Sequence, residues 1–331
     1  MHEDIEAPNE NSEYEYHNYK RGEDQTYLTY PEWFLVFSPK EYAKFLKSNP
    51  SADFHYLNHI KQFWGAYFSI YKDIKNKYKF NTEYHIMINV IGVSTTFEYL
   101  IKFIYGNTIY LMVDTFSKIF TSNRTEEEVF GATVTQDYVD FIENTPWYEF
   151  DFIKSLKEVW NISFKKKNIL KQVERKIAMS IEYSFKALYA YVIKKASEGS
   201  FDKPSLETVC KISKCKIKSA NVKLISDIKT NKNSILVALP RYQGFTTEAV
   251  NLALSGANFK EIAGNSDIIV LSIIVNKDTV DKYREKYSVL FKYDISTDES
   301  KIRYVLKIQI SELSKFIRDN KNDTIEHIYD F

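Results

Sequence analysis

One short pattern of acidic, aromatic and basic residues occurs twice in the first two-thirds of the chain. Residues 98–105 follow Glu-Tyr-x-x-Lys-x-x-Tyr, and residues 182–189 follow the same pattern. In a helix, Glu and Lys four positions apart share one face, with Glu in the favoured N-terminal position. Paired carboxylate and ammonium groups are suited to a ligand or catalytic pocket. The candidate binding residues are Glu98, Tyr99, Lys102, Tyr105, Glu182, Tyr183, Lys186 and Tyr189.

The residues around the first copy favour a buried position for its charges. Almost every other residue of that segment is apolar, and a helix that is apolar nearly all round is usually buried. Buried charges need partners and hydrogen bonds. We therefore predict that the two helices pack together, that their Glu–Lys pairs form one internal network, and that the four tyrosines supply hydroxyls to it. Such a network either holds the register of the helices or forms a ligand or catalytic pocket.

Other residue types give weaker signals for chemistry. His55 and His59 lie four apart, with His85 as a distant third, but no acidic or cysteine ligand has a familiar spacing, and no metal site is predicted. The spacing of Cys210 and Cys215 fits neither a zinc site nor a CxxC pair, so two reduced cysteines are expected. The sequence contains no HExxH, GxSxG or Walker motif, and no cofactor is predicted.

Charge and hydropathy limit the partners. The chain has 45 basic and 44 acidic residues, a net charge of +1, so nucleic acid is not an expected partner. The longest apolar stretch, residues 84–113, is interrupted by Glu98 and Lys102. It is too short between charges for a spanning helix, which favours a buried helical pair, with contact to a membrane surface as the alternative. The first 24 residues lack the features of a signal peptide, which predicts a cytoplasmic or membrane-peripheral location.

Helix signals fill residues 26–199, after an acidic and polar arm over residues 1–25 that we predict to be disordered. Ser38 with Glu41 has the form of a capping box and predicts a helix start, as does Thr125 with Glu128. Periodic apolar residues predict helices over residues 54–75, 83–105, 108–120, 125–143, 150–160 and 167–198.

The composition changes from about residue 200. Residues 200–233 contain many lysines and β-branched residues without a helical period, and we predict a linker with one or two short strands. A strand–helix–strand pattern then occurs twice, over residues 235–263 and 304–329. Two such halves are the arrangement of a ferredoxin-like domain, which is predicted over residues 234–331.

Two further segments between those halves, residues 268–275 and 289–295, are predicted to form an added hairpin. The predicted fold class is therefore α+β, with a mostly α-helical N-terminal body followed by a ferredoxin-like C-terminal domain built on a duplicated βαβ pattern.

Several motifs resemble those of a family of uncharacterised bacterial proteins. The opening motif Thr-Tyr-Pro-Glu-Trp, at residues 29–33, and the repeated Glu-Tyr-x-x-Lys helices carry most of the resemblance. The other similar segments are Phe63-Trp64, Ile91-Gly92-Val93-Ser94, Pro146-Trp147-Tyr148 and the final Ile-Glu-His-Ile-Tyr-Asp at 325–330. The resemblance covers most of the chain from residue 26 and implies a bacterial origin and a single complete unit. It implies no activity, substrate, cofactor or catalytic residue, and it leaves open a membrane-anchoring helix, with which some members begin.

These features predict a non-enzymatic bacterial binding or interaction protein with an aromatic-rich helical body. Its C-terminal domain would sense a ligand or dimerise, and its partner would be a protein, a second copy, a small molecule or a membrane surface. One alternative is an enzyme in which burial raises the pKa of Glu98 or Glu182, so that the carboxyl acts as a general acid or base. The other is a peripheral membrane protein, which predicts an exposed aromatic patch flanked by lysines near residues 84–113 or 164–167.

Overall fold

The computed structural model has a helical first part and a second part with two antiparallel sheets, which confirms the α+β class. It describes residues 24–118, 124–166, 168–198, 206–217, 219–227, 233–279, 283 and 285–330. The predicted arm, residues 1–25, lies outside the described residues except for its last two positions.

The described residues form two compact units. Unit 1 is drawn from residues 1–30, 66–82 and 205–331, and unit 2 comprises residues 31–65 and 83–204. Both units are discontinuous in sequence, unlike the contiguous domains that the sequence predicts.

Helices lie close to their predicted positions. Their bounds are α1 (Gln25–Leu46), α2 (Tyr56–Ile74), α3 (Thr82–Tyr105), α4 (Leu111–Lys118), α5 (Glu126–Ile142), α6 (Phe152–Asn161) and α7 (Ile169–Glu198). A π-helical segment, Gly106–Tyr110, joins α3 to α4 without a break. The helical rod from α3 to α4 is therefore longer than either of the two helices predicted there.

One of the two predicted capping boxes is confirmed. The Glu128 backbone N–H donates to Thr125 Oγ1, and the Thr125 backbone N–H donates to the Glu128 carboxylate, which satisfies two N–H groups at the start of α5. The box predicted at Ser38 is wrong, because α1 runs through that residue. Ser38 Oγ instead lies 2.8 Å from His59 Nδ1 and 2.5 Å from the Tyr99 hydroxyl, so it ties α1 to α2 and α3.

Unit 1 contains one strand order twice. The first copy consists of β1 (Glu207–Ser213), β2 (Lys223–Asp227), β3 (Ser234–Pro240), α8 (Gln243–Leu254) and β4 (Phe259–Ile262). The second consists of β5 (Ile268–Asn276), β6 (Ser288–Ile295), β7 (Asp298–Gln309), α9 (Ile310–Asp319) and β8 (Thr324–Tyr329). Their sheets have the orders β2-β3-β1-β4 and β6-β7-β5-β8, with antiparallel pairing throughout.

The predicted duplication of a strand–helix–strand pattern is confirmed, but the ferredoxin-like topology is not. That topology needs both patterns in one sheet, whereas here each pattern belongs to a separate four-stranded sheet. The predicted hairpin is also wrong, because β7 lies between β5 and β6. Two strands, β1 and β2, lie within residues 200–233, where one or two are predicted, and β1 is an interior strand of the first sheet.

One hydrophobic core serves both sheets of unit 1. It contains buried residues of β1, β3, β5 and β7 together with the inner faces of α8 and α9. On α9 the buried apolar residues recur at helical spacing, at Ile310, Leu313, Phe316 and Ile317. This spacing places one side of the ten-residue helix in the core of unit 1.

A charge quartet and an outward-facing apolar face

The structure brings the two repeated Glu–Lys pairs together in unit 2. The Lys102 ammonium group lies 3.0 Å from Glu98 Oε1 and 2.9 Å from Glu182 Oε1. Lys186 Nζ lies 3.2 Å and 2.7 Å from the same two oxygens. The predicted four-residue network is thus confirmed, and we call it the charge quartet. Each ammonium bridges α3 and α7, so the quartet holds these helices in register.

The tyrosines of the repeated pattern do not supply hydroxyls to the quartet, contrary to the prediction. Tyr99 forms its hydrogen bond with Ser38, and Tyr189 stacks on the Trp147 ring at 5.3 Å. The Tyr105 hydroxyl is buried and has no hydrogen-bond partner among the described residues. Tyr183 belongs to an apolar cluster of α5, α6 and α7. The binding role predicted for these four residues stays a prediction.

Aromatic rings from other helices contact the two ammonium groups of the quartet. Lys102 Nζ lies 4.9 Å from the centre of the Tyr42 ring, and Lys186 Nζ lies 5.7 Å from that of Tyr138. Cations are attracted to the face of such rings. Each ammonium group therefore has two carboxylates and an aromatic ring as neighbours.

Neither carboxylate of the quartet has the raised pKa that the enzyme hypothesis requires. Burial by itself raises the pKa of each, but the two neighbouring ammonium groups outweigh it and hold the pKa of Glu98 and of Glu182 below the usual range. In return, the carboxylates raise the pKa of Lys102 and of Lys186 against the effect of burial. These directions are opposite to the raised carboxyl pKa that the enzyme alternative expects, and the acid–base pair stays a prediction.

The lowered carboxyl pKa values predict a pH-dependent contribution to stability. A carboxyl whose pKa is lower in the folded than in the unfolded state stabilises fully above its unfolded pKa of about 4.3, and this contribution is lost as the pH falls through the folded pKa. We expect Glu98→Gln to lower the midpoint of thermal unfolding at pH 7 and the difference from the native protein to shrink in acid. Unfolding curves across the acidic range measure this, and an unchanged midpoint at pH 7 would contradict a stabilising quartet.

Outside the quartet, α3 and α4 expose apolar residues along their length. Exposed residues recur at spacings of three and four, which places them in one stripe on the helix. The stripe consists of Ile86, Met87, Val90, Val93, Phe97, Leu100, Ile101, Ile104, Ile109, Leu111, Met112 and Phe116. The charged residues between positions 84 and 117 are Glu98, Lys102 and Asp114, and each forms an ion pair with α7.

Helix α7 likewise has its charged residues on the inner side and large apolar residues on the outer side. Its charged residues between positions 171 and 186 are all ion-paired. Its outer side carries the exposed residues Ile169, Leu170, Ile177, Ile181, Phe185, Leu188, Tyr191 and Val192. A helix of a water-soluble domain normally buries its apolar side and exposes its charges. Here the charges point into unit 2 and the apolar side chains point outward.

The two stripes lie on the same side of unit 2. The ion pairs show that α7 runs antiparallel to α3 and α4, since Lys102 pairs with Glu182, whereas Asp114 pairs with Lys171. Each residue of an α-helix is rotated by about 100° about the helix axis from the residue before it. Measured in this direction of rotation, the stripe of each helix lies about 100° before the quartet residues, and the core-facing residues lie about 100° after them. Because the helices are antiparallel, equal rotational order places both stripes on one surface, which we call the apolar face.

The prediction that residues 84–113 form a buried helical pair is wrong, because one side of this segment is exposed as part of the apolar face. Segment Thr82–Ser117 is long and apolar enough to cross a membrane by length and composition, and only 22% of its most apolar window is buried. Twenty large side chains, each at least 37% exposed, make up the face. Such a set exceeds the roughly 300–600 Å² of the largest apolar patch on a typical monomer.

A second group of charges lies beneath one end of the face. Lys171 Nζ lies 2.9 Å from Asp114 Oδ1, and Arg175 Nε lies 3.0 Å from Glu128 Oε1. The Arg175 guanidinium also stacks over the Tyr110 ring at 3.5 Å. Burial raises the pKa of the Glu128 carboxyl, but Arg175 and the capping hydrogen bond from Thr125 hold it below its usual range.

Next to that group is a buried pair, Lys176 and Glu127, which are 0% and 1% exposed. Lys176 Nζ donates to the carbonyl oxygens of Val159 and Ile162, at 2.8 Å and 2.5 Å, and lies 3.7 Å from Glu127 Oε1. Sequence reasoning missed these charges because a helix with one charged side suggests a solvated face. The sequence did contain a signal for them. The charged residues at 171, 175, 182 and 186 share one face of α7, and the predicted network supplies ion-pair partners only for residues 182 and 186.

The histidines and cysteines are not assembled into a site in the part of the chain that is described. His59 is buried and bonded to Ser38, while His55 is exposed. The described residues contain no group of three or more His, Cys, Asp or Glu side chains placed to hold a metal ion. Both cysteines are free thiols, and burial raises the pKa of each.

Comparison with known proteins found no matching family model, no similar curated protein and no similar solved structure. The resemblance to the uncharacterised bacterial family therefore stays a prediction.

Proposed function

We propose that this protein is a non-enzymatic interaction protein that binds a membrane surface through the apolar face of α3, α4 and α7. The observation that carries the proposal is the inverted arrangement of these helices, with paired charges inside and large apolar side chains outside. In water such a face costs free energy, whereas contact with lipid acyl chains removes that cost.

The charges at the ends of the face favour a bilayer over a second copy. The apolar part of α7, from Ile169 to Val192, spans about 35 Å at 1.5 Å per residue. Lys165 and Lys166 lie just before it, and Lys194 and Lys195 just after it. Lysines at both ends of an apolar helix face can reach anionic head groups while the apolar side chains enter the acyl region.

The rest of unit 2 supports an orientation with the helices in the membrane plane. Helix α5 exposes Asp137 and Asp140, and α6 exposes Lys154 and Lys157. These side chains need water, so only one side of the unit can enter lipid. We therefore assign α3 and α7 an in-plane position and not a transmembrane one, although the length of the α3–α4 rod would suffice to span.

The predicted ligand-sensing or dimerising role of the C-terminal strands is not included in this proposal. That role rested on analogy with ferredoxin-like domains, and such analogy is weak support for function. The enzyme alternative is not included either, since both quartet carboxyls have lowered pKa values.

Vesicle flotation tests the proposal. We expect the full chain to float with vesicles of a choline phospholipid, and more completely when an anionic phospholipid is added. The double substitution Phe97→Asp/Ile181→Asp places two charges on the face and should lower the partition constant for the vesicles about tenfold or more, since a tenfold change needs only about 1.4 kcal/mol. Leu224→Asp/Leu254→Asp adds the same charge at exposed leucines of unit 1 and should float like the native chain.

Two results would contradict membrane binding. The first is a native chain that stays at the bottom of the gradient with both kinds of vesicle. The second is a concentration-dependent dimer, measured by light scattering, that Phe97→Asp/Ile181→Asp dissociates while leaving flotation unchanged. In that case the face is a contact between two copies of the chain.

A further inference from the structure

The connection from α6 to α7 exposes two aromatic rings and then two lysines. Trp160, on the last turn of α6, and Phe164 are each 51% exposed. Lys165 and Lys166 follow directly and are exposed as well. We call residues 160–166 the aromatic–lysine segment. Exposed rings beside lysines are typical of protein surfaces that lie at the boundary between acyl chains and lipid head groups.

Two buried side chains of α7 hold this segment in place. Lys176 Nζ donates to the carbonyl oxygens of Val159 and Ile162, at 2.8 Å and 2.5 Å. The side-chain amide of Gln172, which is buried, accepts from the Lys165 backbone N–H at 2.9 Å and donates to the Lys165 carbonyl oxygen at 3.0 Å. The backbone that carries the exposed rings is therefore fixed to α7 before any partner binds, which lowers the entropic cost of binding.

The segment continues the apolar face on the side of α7 that is remote from α3. Trp160 Nε1 donates to Ser180 Oγ at 2.8 Å. Ser180, Ile181 and Glu182 are consecutive, and each lies about 100° further around the helix than the residue before it. Ser180 and Glu182 thus lie on opposite sides of Ile181, which belongs to the apolar face. Since Glu182 pairs with Lys102 of α3, the Trp160 ring borders the face at its other edge.

We infer that the aromatic–lysine segment anchors the apolar face to anionic phospholipid. This inference rests on the proposed membrane binding and names both the lipid class and the part of the surface that meets it. Trp160 and Phe164 contact the acyl chains close to the head groups, and the ammonium groups of Lys165 and Lys166 bind the lipid phosphates.

The charges around the segment fit this contact. Lys165 forms an ion pair with Glu126, and both side chains are more than half exposed. Exposed ion pairs contribute little to stability, so Lys165 can exchange this partner for a lipid phosphate at small cost. Lys157, about one turn before Trp160 on α6, is exposed and keeps its ammonium group at the level of the head groups. The Trp160 ring therefore enters the boundary region and not the centre of the bilayer.

Vesicle partitioning of lysine variants tests the anionic contact. Lys165→Gln/Lys166→Gln should lower the partition constant for vesicles that contain an anionic phospholipid about tenfold or more. For vesicles of a choline phospholipid alone, the partition constant should stay within about twofold of the native value, because the rings and the apolar face remain. Lys315→Gln/Lys321→Gln makes the same change of charge at exposed positions of unit 1 and should keep the anionic preference. Circular dichroism establishes that both variants are folded.

Tryptophan quenching tests the position of the rings. Trp160 is the most exposed of the four tryptophans. We expect anionic vesicles whose acyl chains are brominated to quench the fluorescence of the native chain, and most of this quenching to be absent in Trp160→Phe. Trp33→Phe makes the same change at a buried position of α1 and should retain the quenching.

The outcomes separate this inference from the proposed function. If the native chain binds both kinds of vesicle equally, anionic phospholipid is not the partner, and membrane binding through the apolar face stands. If Lys165→Gln/Lys166→Gln keeps the anionic preference, or Trp160→Phe is quenched like the native chain, the segment is not the anchor. If the native chain binds neither kind of vesicle, the proposed function and the inference both fail.

Discussion

Replacing Lys176 by methionine is expected to lower the free energy of unfolding of unit 2 by roughly 3–5 kcal/mol, the range for breaking one partner of a buried ion pair. Lys176 is fully buried, and its ammonium satisfies two backbone carbonyls and lies nearest to the Glu127 carboxylate. Methionine fills similar space but leaves a carboxylate that is 1% exposed without an opposite charge. Urea unfolding followed by tryptophan fluorescence measures this, because all four tryptophans lie in unit 2.

Two further variants establish the cause of that loss. Lys157→Met makes the same change at an exposed position of α6 and should alter stability by no more than about 0.5 kcal/mol. Glu127→Gln added to Lys176→Met should recover a substantial part of the loss, because the unpaired charge is then absent. If the double variant is no more stable than Lys176→Met alone, the cost comes from the lost carbonyl hydrogen bonds and not from the buried carboxylate.

Local sequence patterns predicted the elements well but not their assembly. The capping box at Thr125 and the apolar periodicity of α2, α5, α6 and α7 give helix bounds within a few residues. The repeated strand–helix–strand pattern was visible for the same reason, since alternation and helical spacing are local. Whether two such halves share a sheet depends on contacts far apart in sequence, and β7 pairs with both β5 and β6 instead of leaving them to form a hairpin.

The sequence predicts the charge quartet of the candidate site but not its apolar face. Glu98, Lys102, Glu182 and Lys186 were predictable because a Glu–Lys pair in an apolar helix needs a partner, and the sequence contains one matching pair. The direction of the faces was not predictable, because periodicity places apolar and charged residues on opposite sides of α7 without showing which side is inside. In the structure the charged side of α7 faces inward, and Lys176 is therefore buried.

The inverted helices connect the stability of unit 2 to its proposed binding surface. The ion pairs along α7 hold it beside α3 and α4, and in that arrangement the two apolar stripes form one face. If an ion pair at one end were lost, the stripes could move apart while each helix persisted. We therefore regard the inner charges as positioning residues for the face, in addition to their effect on folding.

The opposite side of α3 is fixed by a glycine, and Gly92→Ala is expected to destabilise unit 2 by roughly 2–3 kcal/mol through overpacking. A Cβ at Gly92 would overlap the Phe63 ring and lie 2.9 Å from two atoms of the Trp64 indole. Alanine is intrinsically better than glycine inside a helix by about 1 kcal/mol, so the steric term must exceed that gain. Two segments quoted for the family resemblance, Phe63-Trp64 and Ile91-Gly92-Val93-Ser94, thus meet at one contact between α2 and α3. Unfolding in urea, followed by Trp64 and the other tryptophans, measures the loss.

Gly131→Ala on α5 is the matched substitution. Its Cβ would lie 3.3 Å from the Met179 sulfur, which belongs to a flexible side chain that can yield. The intrinsic preference of a helix for alanine over glycine is the same at both positions. The difference between the two variants in free energy of unfolding therefore isolates the contact at Gly92. We expect Gly131→Ala to be neutral or to stabilise by up to about 1 kcal/mol. Equal effects of the two alanines would mean that α2 and α3 are not in the close contact that turns the apolar stripe of α3 outward.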